Sequence, residues 1–224
     1  MRIDHSLSHE TRQAQAGSLR AAGAAALGAC ALFTTSLIGF AQARVDGYSH
    51  GTKAVSELGA IGAPNALAFN LAGFILPGVL IAVAAALVAR AARSTRGMAP
   101  LALAGVSMAL AGVFPIDMSD RASLVSQAHL AAAVLTGLFW ALALFRVPPT
   151  LRAAGQAGLA RFGGWLAIAL LVNIFWQIAY GSGVPILPGW GQRIGFAGMM
   201  IWLAWLGAGL LRTHARQSGN LLTS

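Results

Sequence analysis

Two carboxylates and one imidazole are the residues of this chain best suited to chemistry. They are Glu57, Asp117 and His129, and each lies close to apolar sequence. A carboxylate and an imidazole in a partly dry pocket tune each other's pKa, as general acid–base catalysis requires. One histidine and two carboxylates could also hold a divalent cation with open coordination positions. These three are therefore the candidate catalytic residues, and the candidate ligands if a metal ion binds.

A second set of polar residues falls on the same side of the topology derived below. Its members are candidate substrate-binding residues: His50, Ser56, Asn70, Asn173, Gln177 and Arg193. Asn173 and Gln177 are four residues apart and share a helix face, while Arg193 could hold an anionic headgroup. Polar groups in hydrocarbon are costly unless they face one another or a water-filled cavity. The set predicts one outward-open polar pocket; ordinary interfacial hydrogen bonds and salt bridges are the alternative.

The elements that must position these residues are membrane-spanning helices. Of the 224 residues, 57% are hydrophobic and 9% are charged, whereas soluble domains carry about 25% charged residues. Six apolar stretches can each cross roughly 30 Å of hydrocarbon. They lie near residues 19–42, 65–90, 98–116, 125–146, 162–181 and 191–211. Because they do not alternate as barrel strands do, the sequence predicts an all-α integral membrane bundle of six transmembrane helices.

Basic residues fall mostly on one side of this arrangement. Eleven arginines share the side of the termini: Arg2, Arg12, Arg20, Arg90, Arg93, Arg96, Arg146, Arg152, Arg161, Arg212 and Arg216. The other side receives Arg44, Lys53, Arg121 and Arg193. The bias predicts that residues 1–18 and 212–224 are cytoplasmic tails. We attribute the formal charge of +9 to topology and predict no nucleic-acid binding, because no basic cluster is interleaved with aromatic residues.

Turn and charge signals separate the six stretches. Residues 93–97 follow the second stretch, and Pro148-Pro149 follow the fourth. The longest outer connection, residues 43–64, is amphipathic in its second half and predicts a short interfacial helix at residues 52–62. Pro77 should kink the second span.

The first apolar stretch ends in a pattern with two interpretations. Ala41-Gln42-Ala43 has the small-residue form of a signal-peptide cleavage site. The stretch before it is longer than the usual apolar region of a signal peptide. Removal of the first helix and its retention as a span both stay open.

Several of these elements, in this order, resemble a known family of membrane proteins. They are Tyr48-Ser49-His50, Ser56-Glu57-Leu58-Gly59, Asn70, Phe114-Pro115-Ile116-Asp117 and His129. From roughly Gly23 to Leu211 the chain resembles the family catalogued as domain of unknown function 998. The resemblance implies a multi-helix bundle of prokaryotic type and brings no established reaction.

Three functions are compatible with these observations. The first is an enzyme acting on a lipid or lipid-linked substrate at the outer leaflet, although no His-Glu-x-x-His or Gly-x-Ser-x-Gly signature is present. The second is a small proton-coupled transporter, and the third is a non-catalytic accessory or assembly subunit. Membrane lipids are the predicted partners in the cytoplasmic (inner) membrane, and a protein partner or homo-oligomer stays open. No cofactor is predicted, although a divalent metal ion is compatible with the acidic residues.

Overall fold

The protein folds into long helices connected by short segments. This computed structural model describes residues 3–153, 156, 158, 160, 163–184 and 186–222, and these contain no β-strand. The helices are α1 (Ile3–Gln42), α2 (Ala66–Ala92), α3 (Thr95–Val113), α4 (Leu124–Ala153), α5 (Gly163–Gly181) and α6 (Pro188–Leu222). Arg2 and Arg161, which were counted in the charge bias, lie outside the described residues.

The helices expose the side chains that a soluble protein would bury. On α3, Leu103 and Val106 are 44% and 46% exposed, while Leu101 on the opposite face is fully buried. Within the described residues, five helices are long and apolar enough to cross a membrane, and residues Leu166–Ala179 of α5 form a shorter apolar helix. The chain is therefore a multi-pass membrane protein, and the predicted all-α bundle of six helices is confirmed.

Each helix packs mainly on two neighbours. Starting from α4, the order around the bundle is α3, α2, α1, α6 and α5, and a sparser contact between α5 and α4 completes the ring. Arg90 lies in the last turn of α2, Arg93 in the connection to α3 and Arg96 in the first turn of α3, so this end of the bundle is called the arginine side. The opposite end, which carries the connection between α1 and α2, is called the loop side.

Glycines set the closest helix contacts, because lipid supplies no hydrophobic force between helices and close backbone approach must replace it. A Cβ on Gly78 of α2 would lie 2.5 Å from the carbonyl oxygen of Gly105 on α3, and the reverse distance is also 2.5 Å. A Cβ on Gly23 of α1 would lie 2.7 Å from the carbonyl oxygen of Gly207 on α6. Both seams therefore exclude even a methyl group.

The expected distortion near Pro77 takes the form of a π-helical segment. Residues Asn70–Ile75 of α2 are π-helical, and the backbone N–H of Leu76 donates to the carbonyl of Leu71, five residues earlier. Proline has no N–H to continue the α-helical ladder and its ring crowds the preceding turn. A widened turn just before Pro77 accommodates both effects.

Two helix ends differ from the sequence prediction. Pro148-Pro149 was expected to separate two elements, and this is wrong, because α4 continues through both prolines to Ala153. The Thr150 hydroxyl donates to the carbonyl of Arg146 at 2.9 Å and satisfies one acceptor in this turn. Conversely, α3 ends at Val113 rather than near residue 116, because Phe114 precedes a proline and leaves the helical region with φ −106° and ψ 86°.

The connection on the loop side folds onto the bundle. Its 3₁₀-helix, Val55–Gly59, is shorter than the interfacial helix expected at residues 52–62. Val55 and Leu58 are 0% and 1% exposed, so the segment packs into the bundle. The backbone N–H of Ile61 donates to the carbonyl of Ile116 at 2.9 Å, which joins this loop to the connection between α3 and α4.

The glycine seam between α2 and α3 yields a stability prediction. Gly105→Ala should lower the thermal unfolding temperature in detergent, because overpacking typically costs about 1–3 kcal/mol. Gly137→Ala is the matched control, since a Cβ there meets nothing within 4 Å. Equal unfolding temperatures for the two variants would contradict the packing described here.

Candidate functional site

Arg193, in the second turn of α6, is the centre of the polar network on the loop side. Its Nε donates to His50 Nδ1 at 3.0 Å, and its Nη2 donates to the Tyr48 hydroxyl at 2.6 Å. Nη1 donates to the carbonyls of Lys53 at 2.8 Å and Gly189 at 3.0 Å. Four of the five guanidinium N–H groups are thus used, and all four acceptors are neutral.

Further hydrogen bonds fix the same loop to the start of α6. The backbone N–H of Val55 donates to Gln192 Oε1 at 2.9 Å, and that of Gly189 donates to the carbonyl of Gly51 at 2.9 Å. Gly189 is required here, because a Cβ would collide with the carbonyl of His50. The loop is therefore a fixed part of the site.

Two ion pairs occur in the described part of the chain, and both are local to this loop. Arg44 pairs with Asp46, and Lys53 Nζ lies 3.3 Å from Glu57 Oε2. The hydrogen bonds from Arg44 lower the pKa of the Asp46 carboxyl. Arg193 belongs to neither pair, so no described carboxylate lies within 4.0 Å of its guanidinium nitrogens.

A groove lies between α1 and α6, directly below this network. Its volume is about 330 Å³, and its lining is mostly apolar: Phe33, Thr34, Leu37, Ile38, His50, Trp190, Arg193, Phe196, Ala197 and Met200. Ile38 and Trp190 at its edges are 47% and 46% exposed. Toward the arginine side, the Cys30 thiol donates to the carbonyl of Met200 at 3.3 Å and joins the two helices. The groove is therefore an apolar trough with a cationic end.

Glu57 is bound within its own turn. Its Oε1 accepts the backbone N–H of Ala54 at 2.9 Å, which caps the 3₁₀-helix, and its Oε2 faces Lys53. Ser56 is half-buried beside it in the same turn. Asn70 holds the end of this turn on α2, since its Nδ2 donates to the carbonyl of Gly59 at 2.8 Å.

Asp117 stabilises a turn in the connection between α3 and α4. Its Oδ1 accepts the Ser119 hydroxyl at 2.6 Å, the Ser119 backbone N–H at 2.8 Å and the Asp120 backbone N–H at 3.2 Å. The bond from the Ser119 hydroxyl is the main reason that the pKa of Asp117 is lowered. This is the side chain-to-backbone pattern of an Asx turn.

His129 is buried under that connection, with 3% of its surface exposed. Its Nδ1 lies 2.8 Å from the carbonyl oxygen of Ala111 and 2.9 Å from that of Phe114. Carbonyls only accept, so Nδ1 carries a proton and caps the last turn of α3. The ring also meets the edge of Phe74 on α2, with centroids 6.5 Å apart.

Asn173 and Gln177 belong to the seam between α5 and α6. A Cβ on Gly195 would lie 2.9 Å from Asn173 Cγ, so this amide lies against the α6 backbone. Asn173 Oδ1 and Gln177 Nε2 are buried and have no hydrogen-bond partner among the described residues. Their seam is on the other flank of α6 from the groove, whose α6 lining comprises residues 190, 193, 196, 197 and 200.

The structure therefore joins only part of the predicted set. His50 and Arg193 are bonded directly and line one groove, whereas no hydrogen bond or ion pair in the described part of the chain links Glu57, Asp117 and His129. No group of three His, Cys, Asp or Glu side chains among the described residues could hold a metal ion. The need for a cofactor stays a matter of prediction.

Sequence reasoning missed Trp190, and it named Tyr48 only as part of the family motif and not as a site residue. Trp190 lines the groove, and Tyr48 bonds Arg193. Tryptophan and tyrosine concentrate where a membrane meets water. Their positions beside the ends of predicted spans were the signal that could have identified them.

Fold and site together define a multi-pass helical membrane protein with a mostly apolar groove under a fixed loop. The chain belongs to the family described as "Protein of unknown function (DUF998)", whose model matches residues 24–209. The family expected from the sequence is confirmed. Neither the curated proteins nor the solved structures contain a match.

The cap made by His129 predicts a loss of stability when it is removed. His129→Leu leaves two carbonyls at the end of α3 without their donor and should cost about 1–3 kcal/mol, measured as a lower unfolding temperature in detergent. His129→Gln can keep one donor and should lose less. Unchanged stability of His129→Leu would show that the cap contributes nothing.

The bond between His50 and Arg193 predicts a pH dependence. Burial, and then the charge of Arg193, lowers the pKa of His50. The unfolded loop binds the proton more readily than the folded one, so the stability contributed by this site is retained above the ordinary histidine pKa of about 6.5 and falls as the pH drops below it. Unfolding temperatures between pH 7.5 and 5 would measure this.

The control for this measurement is His50→Asn, whose amide oxygen can replace Nδ1 as the acceptor and does not titrate. The acid-induced fall in unfolding temperature should be smaller in this variant than in the native protein. The same fall in both proteins would assign the effect to other groups.

Proposed function

We propose that this protein binds a membrane lipid or a lipid-linked molecule in the groove between α1 and α6. The supporting observation is the trough of about 330 Å³ with apolar walls and Arg193 at its end. Small-molecule sites commonly combine apolar walls with a few placed polar groups. A lipid matches this arrangement, because its acyl chain can lie along the apolar walls while its polar head lies beneath the loop.

The sidedness of the proposal follows from charge. Arginines gather at the arginine side, as at the connection between α2 and α3, and cytoplasmic segments carry such an excess. The groove then opens toward the outer leaflet of the cytoplasmic (inner) membrane, with both termini in the cytoplasm. Membrane lipids are the proposed partners.

A binding role is better supported than catalysis on the bound lipid. Glu57 is engaged by Lys53 and by its own turn, and Asp117 is engaged by Ser119 and Asp120. Neither lines the groove that contains Arg193. Enzymatic action at the outer leaflet, proton-coupled transport and an accessory role stay predictions from the sequence.

Filling the groove should displace its occupant. Ala197→Phe adds an aromatic ring to the wall that faces α1 and should lower the amount of lipid that copurifies with the protein, read by native mass spectrometry. Val134→Phe on α4 is the matched control, because Val134 is 69% exposed on the outside of the bundle.

Both variants must first retain the native unfolding temperature to within a few degrees. Loss of lipid in Ala197→Phe alone is the expected result. Equal lipid content in the two variants would assign the bound lipid to the general surface of the bundle and would refute the groove.

A further inference from the structure

We infer that the mouth of the groove is a phosphate site, and that the lipid bound there carries a phosphate anion contacted by His50, Trp190 and Arg193. This inference rests on the proposed function and specifies the headgroup. Its basis is the type of hydrogen-bonding group that each of these side chains leaves unused.

The contact with Arg193 fixes the proton of His50. A guanidinium group only donates, so His50 Nδ1 must be the acceptor in their 3.0 Å contact. The neutral imidazole then carries its proton on Nε2, and the second ring nitrogen is a donor. Because His50 lines the groove, this donor belongs to its mouth.

Trp190 adds a second donor beside the first. An indole N–H can only donate, and no hydrogen bond among the described residues uses it. A Cβ on Gly51 would lie 3.2 Å from Trp190 Nε1, which places the indole nitrogen against the residue that follows His50. Trp190 also lines the groove, so both donors belong to residues of the same lining.

Arg193 supplies the charge. The carbonyls and the hydroxyl that it bonds are neutral, and four of its five N–H groups are used. One donor and a full positive charge remain in a half-buried position. The mouth thus offers three donors and a cation, which suits a group that only accepts and is negative. A phosphate has these properties, and hydrogen bonds to charged groups are the strong ones.

Thr34 is placed to contact the ester region of a lipid, which lies between the phosphate and the acyl chains. It is the polar side chain of the lining that lies on α1. The preceding residue, Phe33, contacts Phe196 with ring centroids 4.8 Å apart, and Phe196 lies three residues beyond Arg193, or about 4.5 Å along α6 at 1.5 Å per residue. The Thr34 hydroxyl can donate to an ester carbonyl at the depth where the acyl chains begin, and Phe33 and Phe196 continue the wall beyond it.

Titration of the full-length protein in detergent with three lipids of identical acyl chains tests the inference. Phosphatidylglycerol, phosphatidylcholine and diacylglycerol are added separately, and affinities are read by native mass spectrometry. Phosphatidylglycerol should bind roughly tenfold or more tightly than diacylglycerol, as expected for about 1.4 kcal/mol from charge-assisted hydrogen bonds. Phosphatidylcholine should bind between them, because its phosphate is accompanied by a cation.

Two variants each remove one donor and preserve the surroundings. His50→Asn keeps an acceptor for Arg193 and loses the Nε2 proton, and Trp190→Phe keeps the ring and loses the indole N–H. Each variant should lower the affinity for phosphatidylglycerol several-fold, up to about tenfold, and should leave the affinity for diacylglycerol unchanged. Inorganic phosphate at the same concentration should not displace phosphatidylglycerol, because it has no chain to fill the groove.

The outcomes separate the two proposals. Equal affinity for phosphatidylglycerol and diacylglycerol, with both lost in Ala197→Phe, would overturn the phosphate site and leave the groove standing. Binding of both lipids that is unaffected by Ala197→Phe would overturn the groove itself. Displacement by inorganic phosphate would overturn the assignment to a lipid headgroup.

Discussion

The guanidinium of Arg193 holds the loop side together, and it does so entirely with neutral partners. Its planar fork bonds His50, Tyr48 and the carbonyl of Lys53 at once, a geometry that a lysine ammonium cannot reproduce. These bonds satisfy its N–H groups and order the loop over α6. No described carboxylate forms an ion pair with Arg193, and a charge removed from water is costly without a counter-ion. The same residue therefore orders the loop and, in the site that we propose, supplies the charge that binds the anion of a lipid.

The groove exists because residue size changes along one helix pair. Toward the arginine side, α1 and α6 meet through Gly23 and Gly207, where no side chain separates the backbones. Toward the loop side, Phe33 and Phe196 occupy the interface, with ring centroids 4.8 Å apart. Small residues permit close backbone contact at one end, and the larger side chains toward the loop line the groove between the two helices. In the proposed function, the acyl chain of a lipid fills the space between them.

The helices were predictable from the sequence, because a backbone in lipid must satisfy its own hydrogen bonds and long apolar runs leave helix as the solution. The continuation of α4 through Pro148-Pro149 could not be predicted in the same way. The tendency of proline to end a helix is a local effect, and tertiary packing overrides it here. The hydrogen bonds between Asp117 and Ser119 could have been predicted, since Ser119 follows Asp117 at the spacing of an Asx turn. The contact between His50 and Arg193 joins residues 143 apart, and no periodicity within one sequence encodes such a pairing.

Arg193 differs from the other three basic residues that the charge count assigns to the loop side. Two of those three have acidic partners: Arg44 with Asp46, and Lys53 with Glu57. Arg121 lies exposed on a turn, where water solvates its charge. Arg193 has neither an acid nor full access to water, although a tyrosine, a histidine and backbone carbonyls surround it. In the site that we propose, an anion from a membrane lipid takes the place of the acidic partner and makes Arg193 electrostatically consistent with the other three.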